Sequence, residues 1–360
     1  MWVSHTKPKH EIVRNHKACA KPWILFCRRG MRAAYSLMPG MPHLPLHLPA
    51  ACEPSTPALL AISGGRDSVV LLHALLEAGF TKLVLCHLNH GLRGRESGGD
   101  ALFVRRLAQR LSLPCEIEKV DVATLAEEQR GSLETVAREE RHAFLLRMAE
   151  KHDAWVVFMA HHAEDQAETV LANLCRGCGT GGLGGMRPVQ RLDNGLHLVR
   201  PLLQVRRQEI DDWLKTRRLK FREDSSNRSP KHRRNRLRHE ALPLLDDIFR
   251  RDVTPLITRL GAFAGRDDEC LWEAAQAILS SPHTLNEDLS LPLTQELARL
   301  HPALLSRVLA LWLREVLGLV GIDSDVIEAA MGMLSSGSPA KLNLPCNRHL
   351  RRKAKRLWVE

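Results

Sequence analysis

From Leu59 onward the sequence alternates apolar runs of strand length with amphipathic runs of helix length. The apolar runs predict four strands, at 59–63, 82–88, 115–120 and 154–160. The runs that follow them predict helices near 67–78, 100–111, 132–151 and 164–176. Strands that are joined through helices run parallel. The alternation therefore predicts an α/β domain with a doubly wound, mostly parallel sheet that helices cover on both faces.

Composition divides the 360 residues into three parts. Residues 1–57 are rich in Pro and basic residues and show no periodicity, so we expect a disordered extension or a mis-assigned start, with an organelle transit peptide as the alternative. Residues 58–230 hold the α/β alternation. Residues 231–360 contain amphipathic runs that predict a smaller, mainly helical domain, to which 342–359 is expected to add a terminal strand pair.

The formal net charge of +11 suggests a polyanionic partner such as nucleic acid. The positive residues are concentrated in 1–57, in 216–238 and in the basic tail 348–356. Nine cysteines without regular spacing, in a chain without a credible secretory signal, predict reduced thiols and a cytoplasmic location. The apolar cluster at 23–27 is too short to span a membrane, so we expect no membrane partner.

The segment Ser63-Gly64-Gly65-Arg66-Asp67-Ser68 joins the first predicted strand to the first predicted helix. Its glycines permit backbone conformations that other residues avoid and let a ligand approach the main chain closely. The start of the helix directs its positive dipole end at the same point, so the turn suits a phosphate or pyrophosphate. It has neither the Gly-Lys-Ser/Thr of a P-loop nor the dinucleotide fingerprint. A plain turn capped by Ser68 is the alternative.

Polar residues crowd the ends of two further predicted strands. The second strand is followed by His87, Asn89, His90 and Arg93, and the fourth by His161, His162, Glu164, Asp165 and Glu168. Because the carboxyl ends of parallel strands meet at one edge of a sheet, we expect these groups to share a crevice with the glycine turn. Carboxylates that face a phosphate repel it unless Mg²⁺ or a substrate ammonium lies between them.

Six segments of the chain form a pattern that is specific in its order and spacing. They are SGGRDS at 63–68, HLNHGLRGRES at 87–97, AREERHAFL at 137–145, HHAEDQAET at 161–169, RGCGTGGLGGM at 176–186, and the basic segment DSSNRSPKHRRNRLRHEALPLL that ends at 245. Together they resemble the tRNA(Ile)-lysidine synthases of the PP-loop ATP pyrophosphatase superfamily. SGG-x-DS is shared across that superfamily, whereas HxNHxLR and Arg-Asn-Arg-Leu-Arg are much more specific to the lysidine enzymes.

The resemblance implies an adenine nucleotide alpha hydrolase-like fold and a ligase that forms a carbon–nitrogen bond. Such an enzyme uses ATP and Mg²⁺ to adenylate C2 of the wobble cytidine in an isoleucine tRNA with a CAU anticodon. The amine of L-lysine then displaces AMP and gives lysidine. The implied partners are therefore this tRNA and L-lysine, and a homodimer is left open.

The resemblance also implies roles for the residues that match its motifs. The ATP site would comprise Ser63, Gly64, Gly65, Arg66, Asp67 and Ser68. The catalytic carboxylates, which are also the expected Mg²⁺ ligands, would be Asp67 and Asp165. The nucleotide and substrate pocket would include His87, Asn89, His90, Arg93, Arg138, His161, His162, Glu168 and Arg176. Contact with the tRNA backbone would come from Arg233, Arg234, Arg236 and Arg238.

Two residues depart from the motifs. His142 stands where the lysidine enzymes usually carry a Tyr after Arg141, and Cys178 creates a Cys-x-x-Cys pair with Cys175. Paired cysteines occur in PP-loop tRNA thiolases, so a thiolase that uses Cys175 and Cys178 is the main alternative function. An amidating PP-loop ligase and a catalytically silent tRNA-binding protein are the further alternatives.

Overall fold

The computed structural model describes most of the chain after residue 42. The described ranges are 43–50, 52–92, 95–192, 194–223, 233–282, 284–334, 339–353 and 355–360. Arg93, which was expected in the substrate pocket, lies outside these ranges, and so do residues 1–42 of the expected extension.

The first domain is built on a sheet of six strands, counted within the described ranges. In chain order they are β1 (Ala58–Ala61), β2 (Leu83–Asn89), β3 (Cys115–Lys119), β4 (Val156–Phe158), β5 (Val189–Arg191) and β6 (His197–Val199). They pair in the order β3-β2-β1-β4-β6-β5, and all neighbours run parallel except β5 and β6. The predicted mostly parallel sheet is confirmed. Strands β5 and β6 were not predicted, because strands of three residues are too short to show a periodic pattern.

Helices cover both faces of this sheet. They are α1 (Arg66–Glu77), α2 (Arg95–Arg110), α3 (Val122–Glu128), α4 (Leu133–His152), α5 (Ala163–Leu174), α6 (Thr180–Leu183) and α7 (Arg207–Arg217). Leu60 of β1 packs on one face with Leu72 of α1, and Leu59 packs on the other face with Phe144 of α4. Since both faces are buried, β1 and β2 are apolar along almost their whole length. The chain leaves β1 on one side for β2 and reaches β4 on the other, so a crevice opens at the carboxyl end of β1.

Residues 43–50 pack against the domain that was expected to begin at residue 58. Leu44 is buried, Leu46 and Leu48 pack on the same core, and the N–H of His47 donates to the carbonyl of Pro201 at 3.0 Å. The expected disorder therefore does not hold for these residues. The prolines around them concealed an alternation of leucines, which is the period of an extended segment.

The second domain begins with α8 (Arg233–Arg236), which continues through a π-helical turn (Leu237–Ala241) into α9 (Leu242–Phe249). The remaining α-helices and strands are α10 (Thr254–Leu279), β7 (Leu291–Pro292), α11 (Gln295–Ala298), α12 (Pro302–Leu311), α13 (Ser324–Gly332), β8 (Lys341–Leu344), β9 (Arg348–Lys353) and β10 (Arg356–Val359). The mainly helical character is confirmed, but the expected strand pair is part of a larger antiparallel sheet in the order β7-β10-β9-β8. None of the helices in the described ranges is long and apolar enough to cross a membrane.

Candidate active site

The turn between β1 and α1 is held in shape by its own serines. Ser63 Oγ accepts the N–H of Gly65 at 3.2 Å, and the Ser68 hydroxyl donates to the Gly65 carbonyl at 2.9 Å. Gly64 has a φ of +86°, in the left-handed region. No side chain caps the start of α1, so the alternative of a turn capped by Ser68 does not apply. The first N–H groups of α1 lack helical partners and can receive an anion.

Replacing Gly64 by Ala is expected to lower the free energy of unfolding by about 1–2 kcal/mol, because left-handed backbone is strained with a Cβ. That Cβ would also lie 3.2 Å from Phe103 Cδ1. Gly65→Ala is the matched control, since Gly65 has a φ of −73°, which any residue adopts. Urea unfolding of both variants measures the difference. Equal stabilities would show that the turn does not require the left-handed conformation.

Three carboxylates surround His162 where β4 leads into α5. Its Nε2 lies 3.8 Å from Asp67 Oδ2 and 3.7 Å from Asp165 Oδ2, while its Nδ1 lies 3.0 Å from Glu164 Oε2. Burial disfavours the charged ring, but Asp165, Glu164 and Asp67 outweigh burial and raise the pKa of His162. The structure therefore brings together the two predicted catalytic carboxylates, with a buried imidazole between them.

Two arginines of the second domain reach the acids of α5. Arg234 contacts Asp165 Oδ1 at 2.7 Å and Glu168 Oε2 at 2.6 Å, and Arg238 contacts the same two acids at 2.8 and 2.6 Å. The side chains of Glu168 and Asp165 are 1% and 10% exposed and that of Arg234 is 49% exposed, so the acids of this network are buried and its arginines extend to the surface. Arg234 and Arg238, which were expected to contact the tRNA backbone, pair here with the acids of α5 and join the second domain to the crevice.

The other two arginines of that set lie at the surface. Arg233 is exposed, and Arg236 pairs with Glu240 one helical turn away at 2.9 Å, with both side chains more than half exposed. An exposed pair of this kind exchanges readily with solvent and other ions. These two side chains are therefore free to meet a polyanion.

The polar residues at the end of β2 mainly support the loop that follows it, and His87 and Asn89, which were expected in that loop, lie within the strand itself. His87 Nδ1 lies 2.8 Å from the carbonyl oxygen of Ile62, which ties the end of β2 to that of β1. Asn89 donates to the carbonyl of Ser97 at 3.2 Å and accepts the N–H of Gly91 at 2.9 Å. These contacts leave His90 at the crevice wall, where burial and the charge of Arg141 lower its pKa to about 4.

A group of cations lies beside the acids. Arg200, directly after β6, is 4% exposed and donates to the Arg187 carbonyl at 2.8 Å. Burial, followed by the charge of Arg138, lowers the pKa of Arg200 to about 10. Burial and the same arginine also lower the pKa of Arg141. In the part of the chain that the structure describes, no carboxylate forms an ion pair with Arg138, Arg141 or Arg200, so the group suits a negatively charged ligand.

His161 lies at the border between the acids and these cations. Burial lowers its pKa to about 3, although Asp165 acts in the opposite direction. Its Nδ1 has no hydrogen-bond partner among the described residues, and neither has the Nε of Arg200. Arg200 was not among the site residues predicted from the sequence. The feature that could have identified it is its position directly after a short buried strand, because ligands bind at the carboxyl ends of parallel strands.

Residues 47–245 match the family model described as the PP-loop domain. The chain belongs to the PP-loop family. This PP-loop protein is 38% identical over 296 residues to the tRNA(Ile)-lysidine synthase of Dehalococcoides mccartyi, a match that covers 80% of this chain and 62% of that relative. It is 45% identical over 195 residues to the tRNA(Ile)-lysidine synthase of Geobacter sulfurreducens, covering 54% and 41%. The resemblance that the motifs predicted is confirmed, and the chain spans less than two thirds of the length of these relatives.

Two features of the PP-loop protein that suggested other roles lie away from the crevice. Cys175 and Arg176 follow the end of α5, roughly 15 Å along the helix axis from Asp165. Arg176 is exposed and donates to Asn173, so the structure does not bring it together with the other pocket residues. Cys175 and Cys178 are free thiols.

A solved structure of a U34-tRNA thiolase, NcsA from Methanococcus maripaludis, is 18% identical to this chain and has a TM-score of 0.46. The match covers 57% of this chain and 70% of the thiolase chain. This similarity is too low to carry an argument about function.

The carboxylates of the PP-loop crevice differ in how they could hold Mg²⁺. No group of three or more side chains suited to a metal ion occurs among the described residues. Mg²⁺ needs only one or two protein carboxylates when substrate phosphates supply further oxygens. Asp67 fits this role, because Oδ1 accepts from Arg66 at 2.9 Å while Oδ2 has only the longer contact of 3.8 Å to His162 Nε2. Both oxygens of Asp165 already accept hydrogen bonds, from Arg238 and from the N–H of His162.

Acid is expected to destabilise the PP-loop protein through Glu164 and Asp165. Despite burial, which acts in the opposite direction, His162 and nearby arginines lower both pKa values to about 2. Their contribution to stability is complete above the unfolded values near 4 and is lost as the pH falls through 2. Urea unfolding at pH 6, 4 and 3 should show the decline. Glu164→Gln should make the decline shallower, whereas Glu240→Gln should change it much less, because the pair of Glu240 with Arg236 is exposed to solvent. Equal slopes in all three proteins would contradict the expectation.

Proposed function

We propose that this protein is a tRNA(Ile)-lysidine synthase. It would use ATP to adenylate the C2 oxygen of the wobble cytidine in an isoleucine tRNA with a CAU anticodon, and would then join L-lysine to C2. The observation that carries the proposal is the composition of one crevice: a glycine turn at the start of a helix, paired carboxylates, and three arginines that have no carboxylate partner among the described residues. The names and identities of the curated relatives support the same conclusion.

ATP would bind with its phosphates at the turn from Ser63 to Ser68. The free N–H groups at the start of α1 and the Ser63 hydroxyl offer donors to the pyrophosphate that leaves, while the Ser68 hydroxyl holds the turn through the Gly65 carbonyl. Mg²⁺ would be held by Asp67 and would neutralise the phosphate charge next to these acids, whereas Asp165, whose two oxygens already accept hydrogen bonds, would contribute charge without binding the ion. Arg66 reaches both Asp67 and Asp211 at 2.9 Å, which keeps the Asp67 side chain in place.

The chemistry requires two displacements. In the first, the C2 oxygen of cytidine attacks the α-phosphorus of ATP, and the bond to pyrophosphate breaks. In the second, the ε-amine of lysine attacks C2, the carbon–oxygen bond breaks, AMP leaves with the oxygen, and the amine loses a proton. The pKa of Asp165 near 2 makes it a weak base. Asp165 is therefore suited to hold and orient the ammonium group of lysine rather than to remove its proton.

The cations would face the negative charge that the reaction brings into the crevice. The adenylated cytidine carries a phosphate diester, and the RNA backbone on either side carries further phosphates. Arg141 and Arg200 lie near His161, the exposed Arg138 lies near both of them, and none of the three has a carboxylate partner among the described residues. Guanidinium groups that are held in place before the ligand arrives, as Arg200 is, stabilise such charge strongly. Exposed Arg233 and Arg236 would contact the tRNA backbone outside the crevice.

Incorporation of radiolabelled lysine tests the proposal. The assay contains ATP, Mg²⁺ and an in vitro transcribed isoleucine tRNA with a CAU anticodon; the control transcript differs only in carrying U at the wobble position. Label is expected in the first transcript alone. tRNA-dependent release of pyrophosphate without label would contradict lysidine synthesis and favour another PP-loop reaction. Absence of both label and pyrophosphate would contradict catalysis on this tRNA.

A further inference from the structure

The glycine-rich segment 176–186 has no task in the proposed reaction. On one side it is fastened to α5, because Gln166 donates to the carbonyls of Gly184 and Met186 at 2.9 and 3.1 Å and accepts the N–H of Met186 at 2.8 Å. Asn173 donates to the carbonyl of Gly182 at 2.6 Å. Since Asp165 and Glu168 lie on the same helix, a shift of this segment would be transmitted to the acids of the crevice.

On its other side the segment meets a buried carboxylate of the second domain. Asp268 of α10 accepts from Arg307 of α12 at 2.7 Å, from Thr180 at 3.2 Å and from the indole N–H of Trp272 at 3.0 Å. Arg307 also donates to Thr180 at 2.6 Å. One carboxylate thus connects α6 of the first domain with two helices of the second. A Cβ at Gly181 would lie 2.7 Å from Asp268 Oδ2. The space between Gly181 and Asp268 is therefore too small for an anion, which the carboxylate would also repel.

Glycines bring the two main chains into direct contact beside Asp268. A Cβ at Gly261 of α10 would lie 3.0 Å from Val170 Cγ2 and 3.2 Å from the Leu183 carbonyl oxygen. A Cβ at Gly184 would lie 3.0 Å from Gly265 Cα. Contacts this short leave no room for a side chain. The glycine-rich segment is therefore a packing surface for α10, and close packing explains why its residues are small.

We propose that Asp268 is a positioning residue that fixes the second domain on the glycine-rich segment and so sets the direction from which tRNA enters the crevice. The proposal rests on the proposed function for its substrate. A buried carboxylate with hydrogen-bond donors from both domains is satisfied in one relative orientation only. Since a tRNA that lies on the second domain must place its wobble base next to Asp67 and Asp165, a change of orientation would misplace the base without altering the ATP turn.

Asp268→Asn and Asp267→Asn make a matched pair, because Asp267 is the exposed neighbour of Asp268 on the same helix. In the lysine incorporation assay, Asp268→Asn should raise the KM for tRNA at least fivefold and leave the KM for ATP within twofold. Asp267→Asn should behave as the wild type. Identical behaviour of the two variants would overturn the proposal, and so would a parallel rise in both KM values, because that result indicates a general loss of structure.

Hydrogen exchange of the segment 177–186 provides a readout that needs no activity. Asp268→Asn should accelerate exchange there, and Asp267→Asn should not. If the wild type formed no lysidine, the proposed function would fail. The exchange result alone would then decide whether Asp268 fixes the glycine-rich segment against α10. Unchanged exchange in Asp268→Asn would overturn the inference whether or not the enzyme assay succeeds.

A second pair of variants avoids removing any charge. Gly261→Ala and Gly265→Ala both add a Cβ to α10 and both favour the helix. The Cβ at 265 would lie 3.6 Å from Gly184 Cα, an ordinary contact, whereas the Cβ at 261 meets atoms at 3.0 and 3.2 Å. Only Gly261→Ala should raise the KM for tRNA and accelerate hydrogen exchange of the segment 177–186. Equal effects of the two substitutions would contradict the docking role of this contact.

Discussion

Replacing Asp165 by Asn is expected to lower lysine incorporation by about a hundred- to a thousandfold, the usual loss when one fixed polar group is removed from a reacting centre. Asn has nearly the same shape but lacks the charge that would hold an ammonium group. The KM for ATP should change little, because the turn from Ser63 to Ser68 does not contact Asp165. Initial rates at varied tRNA, lysine and ATP concentrations measure the effect, which should fall mainly on kcat and on the KM for lysine.

The control for this substitution must account for the buried ion pairs of Asp165. Asn at this position weakens the contacts to Arg234 and Arg238, so the free energy of unfolding should be measured beside the rates. Asp212→Asn on the exposed face of α7 removes an equal charge and should leave both quantities unchanged. A folded Asp165→Asn protein that retains more than a tenth of wild-type activity would exclude the role assigned to the carboxylate.

The crevice could be predicted from sequence because its components are local. The glycine turn, the polar residues after β2 and the acids at the start of α5 each follow a strand directly, and parallel strands bring their carboxyl ends together. The turn and the two carboxylates around His162 are placed accordingly. Segments with short or irregular patterns could not be predicted. Leu44 lies in a proline-rich stretch in which the alternation of leucines is hard to recognise, and Arg200 follows a strand of only three residues.

The basic run at the start of the second domain could not be interpreted from composition alone. Its arginines have partners that lie 66 and 70 residues away along the chain, in α5. Arg234 and Arg238 are one helical turn apart and share a helix face, while Glu168 lies three residues after Asp165 on its own helix. That complementary spacing was available in the sequence, but many other pairs of segments have it too. Only the fold decides which two helices face each other.

Arg238→Met is expected to lower the free energy of unfolding by about 1.5–3 kcal/mol, because two buried carboxylates each lose a charged hydrogen-bond donor and keep only the half-exposed Arg234 as an arginine partner. Asp165 and Glu168 are 10% and 1% exposed, and Arg238 contacts both of them. Met keeps most of the apolar length of the side chain, so the loss reports on charge rather than on packing. Urea unfolding at neutral pH measures it.

Arg236→Met is the matched control from the same helix. Its pair with Glu240 is exposed, so the expected change in unfolding free energy is at most about 0.5 kcal/mol. The tRNA affinity should respond in the opposite order. Arg236→Met should weaken binding and reduce its salt dependence, since an exposed guanidinium exchanges its surface pair with Glu240 for a phosphate. If Arg238→Met were as stable as Arg236→Met and weakened tRNA binding more, the run would act as a phosphate-binding surface throughout. In that case the contact between the second domain and the crevice would depend on Asp268, on the glycine contacts and on the packing of Ala167 against Leu242 and Val253.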